Sequence, residues 1–142
     1  MRTLILTGFM GTGKTTVGRI LARRYGMEFV DTDDEVERLS DCSVAELFAR
    51  HGEAAFRELE TQVLRGALEG SGKIIATGGG TLVSPHNRLL LEVDHTVVCL
   101  TCDPNTIGGR IGDARERPLF DARHPHSAVS YTHLTLPTNR EV

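Results

Sequence analysis

Short apolar runs alternate along the chain with stretches in which apolar residues recur every three or four positions. That alternation predicts an α/β fold, a parallel sheet with crossover helices on its faces. Thr3 to Thr7 reads as the first strand, and Val17, Ile20, Leu21 and Tyr25 then recur at helical spacing up to a stop at Gly26. Met27 to Val30 reads as a second short strand that delivers Asp31-Thr32-Asp33-Asp34 to its carboxyl end, where ligands bind in open α/β sheets. Ser43-Val44-Ala45-Glu46 has the form of a capping box and predicts a short helix ending near His51-Gly52. Phe56, Leu59, Val63 and Ala67 line one face of a further helix closed by Gly70-Ser71-Gly72. Lys73 to Ala76 forms a third strand running into Gly78-Gly79-Gly80, Leu89 to Val93 continues a helical segment after Ser84-Pro85, and Thr96 to Leu100 is a fourth strand. Asp103 to Gly112 is expected to be helical from its context, although Gly108, Gly109 and Gly112 weaken it.

Beyond Phe120 the pattern changes. His124-Pro125-His126 leads into a stretch with neither helical periodicity nor caps, and Val129 to Pro137 resembles translated sequencing adapter. Residues 1–122 are therefore read as one incomplete domain and residues 123–142 as a tail foreign to it.

Composition narrows the function classes. The 142 residues are 39% hydrophobic and 25% charged, as expected of a single soluble domain. A formal net charge of -3 supplies no basic field for nucleic acid. No apolar run approaches the roughly 20 residues that span a bilayer, and Met1 to Gly8 is too short for a signal-peptide core. A cytoplasmic monomer without nucleic-acid or membrane partners is the expectation. Three cysteines, Cys42, Cys99 and Cys102, are an odd and sparse set, expected as free thiols, with the Cys99-x-x-Cys102 pair in a buried strand and its end.

The chemistry is concentrated in Gly8-x4-Gly13-Lys14-Thr15. Glycines let successive backbone N–H groups face phosphate oxygens, and the following helix N-terminus adds to their pull. Lys14 has the reach for β- and γ-phosphates, and the Thr15 hydroxyl is suited to magnesium. Asp31, Asp33 and Asp34 fit either a solvated turn and helix cap or a working set, one near the metal and another orienting a substrate hydroxyl. Gly78-Gly79-Gly80 after a buried strand suggests close approach of backbone to a ligand. Arg57 alone reads as an ordinary helical charge paired with Glu60 or Glu53. Arg110, Arg115 and Arg117 lie in a glycine-rich, charged segment suited to a closing lid, and Arg117 before Pro118 fits a transition-state guanidinium.

Taken together, Gly8-Phe9-Met10-Gly11-Thr12-Gly13-Lys14-Thr15-Thr16, Asp31-Thr32-Asp33, Gly52-Glu53-x-x-Phe56-Arg57-x-x-Glu60, Thr77-Gly78-Gly79-Gly80 and Arg117-Pro118-Leu119 resemble shikimate kinase, over roughly Thr3 to Phe120. The resemblance implies a three-layer αβα P-loop kinase fold and transfer of a phosphoryl group from ATP to the 3-hydroxyl of shikimate. It implies ATP on Gly11, Thr12, Gly13, Lys14, Thr15 and Thr16, with Arg110 stacked on adenine and Arg117 at the transferred phosphate. It places magnesium at Thr15 with Asp31 nearby, shikimate on Asp33, Arg57 and Gly79, and catalysis on Lys14, Asp33 and Arg117. The family also carries a substrate-binding arginine after the lid, then a last strand and helix. Nothing in Asp121 to Val142 matches them, and neither Arg123 nor Arg140 inherits the role. A related small-molecule kinase, such as one acting on gluconate, and a nucleotide-binding fragment without catalysis are the alternatives.

Overall fold

A computed structural model describes residues 2–91 and 95–103. Four strands, Leu4–Gly8 (β1), Glu28–Asp31 (β2), Lys73–Ala76 (β3) and Thr96–Leu100 (β4), form a sheet in the order β2-β3-β1-β4. All neighbours run parallel, with Leu4 opposite both Ile74 and Thr96, and Glu28 opposite Lys73. Parallel neighbours need crossover connections, which here carry the helices Lys14–Tyr25 (α1), Thr32–Ser40 (α2), Val44–Leu68 (α3) and Pro85–Leu91 (α4).

Side-chain alternation along the strands builds the layers. Ile5 and Ile75 point to one face, against Leu64 and Ala67 of α3 and Leu91 of α4, while Leu6 and Ile74 point to the other, against Ala22 of α1. The result is the expected three-layer αβα arrangement. A separate cluster of Val36, Leu47, Phe56 and Val63 ties α2 to both ends of α3 and supports the site described below.

Both β1 and β2 begin and end one residue later than the apolar runs suggest. Ladder pairing continues into polar positions, since Gly8 pairs with Leu100 and Asp31 with Ala76. The sheet itself thereby carries the first loop glycine and the first aspartate of the acidic run to its carboxyl edge. Helix α2 is not predicted by periodicity, because its first turn is acidic and reads as a turn. The Asp31 carboxylate makes it a helix by accepting from the amides of Asp33 at 3.0 Å and Asp34 at 3.4 Å, and the acids that follow complement the positive helix end.

The capping box at Ser43 forms as expected, with Ser43 Oγ accepting from the Glu46 amide at 3.1 Å and the Glu46 carboxylate accepting from the Ser43 amide at 3.0 Å. The two helices expected on either side of Gly52 are joined as α3 through a kink there, at φ 79° and ψ 174°. A 3-10 turn, Thr81–Val83, links the glycine run to α4, which starts at Pro85 as its fixed φ favours. One expectation fails: Cys99 is exposed, because β4 is the border strand of the described sheet and not an interior one. No described helix is long and apolar enough to cross a membrane. The helix expected over 103–112, Arg110, Arg115, Arg117, the region of the final strand and helix, and the tail 123–142 lie outside the described residues.

Candidate active site

The loop between β1 and α1 starts with a glycine that no other residue can replace. Gly8 has φ 136°, and a Cβ there would run into the Leu100 carbonyl of β4. Gly11 and Gly13 also hold positive φ, at 81° and 94°, and the Thr12 hydroxyl closes the loop by donating to the Phe9 carbonyl at 2.7 Å. No side chain caps α1 at Gly13, which leaves phosphate oxygens as natural partners for its first-turn amides. The Lys14 ammonium arches back over the loop and donates to the carbonyls of Gly8 at 2.7 Å and Phe9 at 2.9 Å. Thr16 stands exposed on the first turn of α1.

Behind the loop, Thr15 Oγ1 donates to Asp31 Oδ2 at 2.7 Å. Asp31 therefore has two tasks at once: one oxygen caps α2 and the other holds Thr15. Of the two readings that the sequence leaves open for the acidic run, the structure shows the cap at this residue, and the same carboxylate faces the phosphate loop through Thr15. A hydroxyl beside a carboxylate is an oxygen donor set of the kind magnesium takes when it keeps waters and phosphate oxygens as its remaining ligands. The described residues contain no cluster of three His, Cys, Asp or Glu side chains that would make a protein-only cage.

A cleft of about 560 Å³ opens from Met10 and Thr15 of the loop past Asp31 and Asp33 to Arg57. That volume suits a small organic ligand. Gly78, Gly79 and Gly80 form its floor, and Phe48 and Phe56, with ring centroids 4.8 Å apart, form an apolar wall. The sequence expectation for the triple glycine is close approach to a ligand; the structure shows that the first demand on these positions comes from the chain itself. A Cβ on Gly78 would lie 2.6 Å from Asp33 Oδ1, one on Gly79 would lie 3.2 Å from the Met10 amide, and one on Gly80 would lie 2.7 Å from both terminal nitrogens of Arg57. Each glycine makes room for one functional element: the aspartate, the phosphate loop and the guanidinium.

Arg57 does pair with Glu60, as an ordinary helical charge would, at 2.9 Å, with Glu53 3.6 Å from its Nε. Two features make the pair unusual. Glu60 is only 1% exposed, and the Arg57 side chain, 25% exposed, lies over the Phe56 ring with its terminal nitrogens at the cleft. Glu60 enters the sequence reading only as an ion-pair partner and a motif position, although a signal of its burial exists: it falls in register with Phe56, Val63 and Ala67, an acid within an otherwise apolar stripe. Thr32 likewise enters only as a motif position. Wholly buried, it accepts from the Gly78 amide at 3.1 Å and so fastens the start of α2 to the glycine floor.

The acidic side of the cleft has an electrostatic signature. Burial, and then the neighbouring Asp31 charge, push the Asp34 carboxyl above its usual value, against the opposing pull of Arg19. The Asp34–Arg19 contact, at 3.9 Å with both side chains more than half exposed, is too loose to cancel this. The structure thus brings Thr15, Asp31, Asp33, Arg57 and Gly79 together around one cleft, beside the loop that carries Gly11, Thr12, Gly13 and Lys14.

Known proteins resemble this chain in sequence and in fold. The family model described as shikimate kinase matches residues 10–137. A shikimate kinase of Geobacter sulfurreducens is 45% identical over 129 residues, which span 91% of this chain and 71% of that protein. One from Bacillus mycoides is 40% identical over 87% of this chain and 74% of its own length. Among solved structures, shikimate kinase from Acinetobacter baumannii in complex with shikimate superposes with a TM-score of 0.84 at 33% identity, covering 99% of this chain and 85% of that one. A phosphate loop alone is common to many enzymes, but these likenesses extend over nearly the whole sequence and fold, and the chain belongs to the shikimate kinase family, the kinases of aromatic amino acid biosynthesis.

Proposed function

We propose that this chain transfers the γ-phosphoryl group of ATP to the 3-hydroxyl of shikimate, giving shikimate 3-phosphate and ADP. The observation that carries the proposal is the placement of Arg57 and Asp33 on one glycine floor, in a cleft that opens onto Thr15 and the phosphate loop. A cation and a carboxylate suit the two ends of a hydroxylated carboxylic acid. Arg57 binds the shikimate carboxylate through paired, charge-assisted hydrogen bonds, and Asp33 accepts from a ring hydroxyl and turns its oxygen toward the phosphate loop.

In the transfer, a bond forms between the 3-oxygen and the γ-phosphorus while the bond to the β,γ-bridging oxygen breaks. The hydroxyl proton passes toward Asp33. Such transfers rely on positioning and on stabilising spread-out negative charge. The backbone from Gly11 to Thr16 cradles the phosphates, and Lys14 exchanges its two carbonyl partners for β- and γ-oxygens. Thr15 and Asp31 would hold magnesium, which would supply positive charge to neutralise the β- and γ-phosphates. Arg117 serves as the lid guanidinium and Arg110 stacks on adenine. The activity is assigned to the domain of residues 1–122, acting as a monomer in the cytoplasm.

Asp33→Asn tests the assignment with little change in shape. Turnover should fall by about a hundredfold or more, the scale of a positioned proton acceptor, while ADP affinity stays within about twofold. Undiminished turnover removes the role given to Asp33.

A further inference from the structure

Behind the cleft lies a closed ring of buried and partly buried hydrogen bonds. Thr81 begins the 3-10 turn after the glycine floor and is wholly buried. Its hydroxyl donates to Glu60 Oε2 at 3.0 Å, while the other oxygen of Glu60 accepts from Arg57 Nη1 at 2.9 Å. The Thr81 carbonyl accepts from Asn87 Nδ2 at 2.8 Å, and Asn87 Oδ1 accepts from the hydroxyl of Thr61 at 2.9 Å. Thr61 is the chain neighbour of Glu60 on α3, so the ring returns to its start. Asn87 is 1% exposed, and Thr81 is not among the residues that line the cleft.

We infer that Thr81, anchored by Asn87, is a positioning residue that fixes the Arg57 guanidinium for its carboxylate ligand by holding the buried carboxylate of Glu60. The inference rests on Arg57 being the carboxylate clamp proposed above. Its physical basis is a count of partners. Glu60 has two oxygens out of water, and among the described residues Thr81 alone is hydrogen-bonded to the second. A buried charge with an unmet oxygen moves to find a donor. The nitrogens of Arg57 already lie beside this carboxylate, and turning them further inward withdraws the fork from the cleft. Gly78 explains why the hydroxyl reaches Glu60 at all: a Cβ there would lie 3.1 Å from Thr81 Oγ1 and 3.2 Å from Glu60 Oε2, crowding the bond.

The experiment compares equilibrium binding of shikimate and of ADP, by calorimetric titration, to the 142-residue chain and three variants. Thr81→Val keeps the shape and removes the hydroxyl, Thr81→Ser keeps the hydroxyl, and Arg57→Ala removes the clamp. Thr81→Val should weaken shikimate by about tenfold, the scale of one hydrogen bond to a charged group, with ADP within about twofold and Thr81→Ser restoring most of the loss. Shikimate binding by Thr81→Val within about twofold of the parent overturns the inference. So does equal weakening of both ligands, or a Thr81→Ser variant as impaired as Thr81→Val, since both are the marks of general structural damage. Arg57→Ala separates the two levels. If it binds shikimate as well as the parent, the clamp itself is wrong and the inference falls with it; if it loses shikimate while Thr81→Val does not, only the inference falls.

Discussion

Gly80→Ala isolates the steric demand on the clamp. The backbone at Gly80, φ -100° and ψ -1°, accepts alanine without strain, so the whole effect comes from one methyl group. Its carbon would sit 2.7 Å from both terminal nitrogens of Arg57, against an ordinary contact of about 3.5 Å. The end of a long side chain retreats more cheaply than backbone does, and a retreat of that size remakes the 2.9 Å bond to Glu60. Disturbing a hydrogen bond to a buried charge costs about 1.5–3 kcal/mol, offset in part by about 0.4–1 kcal/mol from a stiffer unfolded chain. The fold should therefore lose about 0.5–2.6 kcal/mol and still form. Shikimate loses the paired fork, two charge-assisted bonds worth about 3 kcal/mol at the low end, which is roughly a hundredfold in affinity. ADP, which does not meet Gly80, should bind within about twofold. Gly66→Ala is the control: a Cβ there meets nothing within 4 Å, so the variant should gain about 0.5–1 kcal/mol and bind both ligands normally. Unchanged shikimate affinity in Gly80→Ala, or an equal loss of ADP, refutes the reasoning.

Three other substitutions probe separate parts of the account. Gly52→Ala places a side chain at φ 79° and ψ 174°, in open space, so only backbone strain of about 1–3 kcal/mol should register, as a lower melting temperature with unchanged ligand affinities. Thr15→Val removes a proposed magnesium ligand and its bond to Asp31; the magnesium concentration for half-maximal turnover should rise by about tenfold or more, whereas an unaltered requirement removes Thr15 from the metal site. Asp34→Asn should raise the melting temperature at neutral pH. The folded state lifts this carboxyl above its ordinary value of 3.8, so its favourable contribution exists only at low pH and disappears as pH rises through the folded value; the variant's advantage should shrink on acidification and vanish below about 3.8.

How far the sequence reveals the fold and the site depends on whether a residue's role is local. The unit of β1, loop and α1 is legible because Gly8, Gly11 and Gly13 all hold positive φ, a local backbone need, even though Leu100 also crowds Gly8, and Ser43 with Glu46 shows a helix start because the capping box is complete within four residues. Helix α2 is hidden because Asp31, Asp33 and Asp34 fit a turn as well as a first helical turn, and the cap that decides between them reaches back to a residue still in a strand. Arg57 is ambiguous for a different reason. Its spacing to Glu60 describes a surface ion pair equally well; the register of Glu60 with Phe56 and Val63 hints at burial, and the packing of Phe56, Val63 and Val36 establishes it. The glycine run suggests close approach to a ligand, whereas the crowding seen in the structure comes from the chain itself, with Asp33, the Met10 amide and Arg57 arriving from three other segments. Cys99 misleads because an apolar strand sequence does not reveal that the strand is at the sheet border.

The most direct test follows the phosphorus atom. The chain, incubated with ATP, magnesium and either shikimate or gluconate, is monitored by phosphorus NMR for ADP and for a new phosphomonoester. Shikimate should be consumed in step with ADP release, giving a phosphomonoester coupled to the ring proton at carbon 3, while gluconate leaves ATP intact. ADP release that ignores shikimate, or a phosphorylated gluconate in its place, contradicts the account.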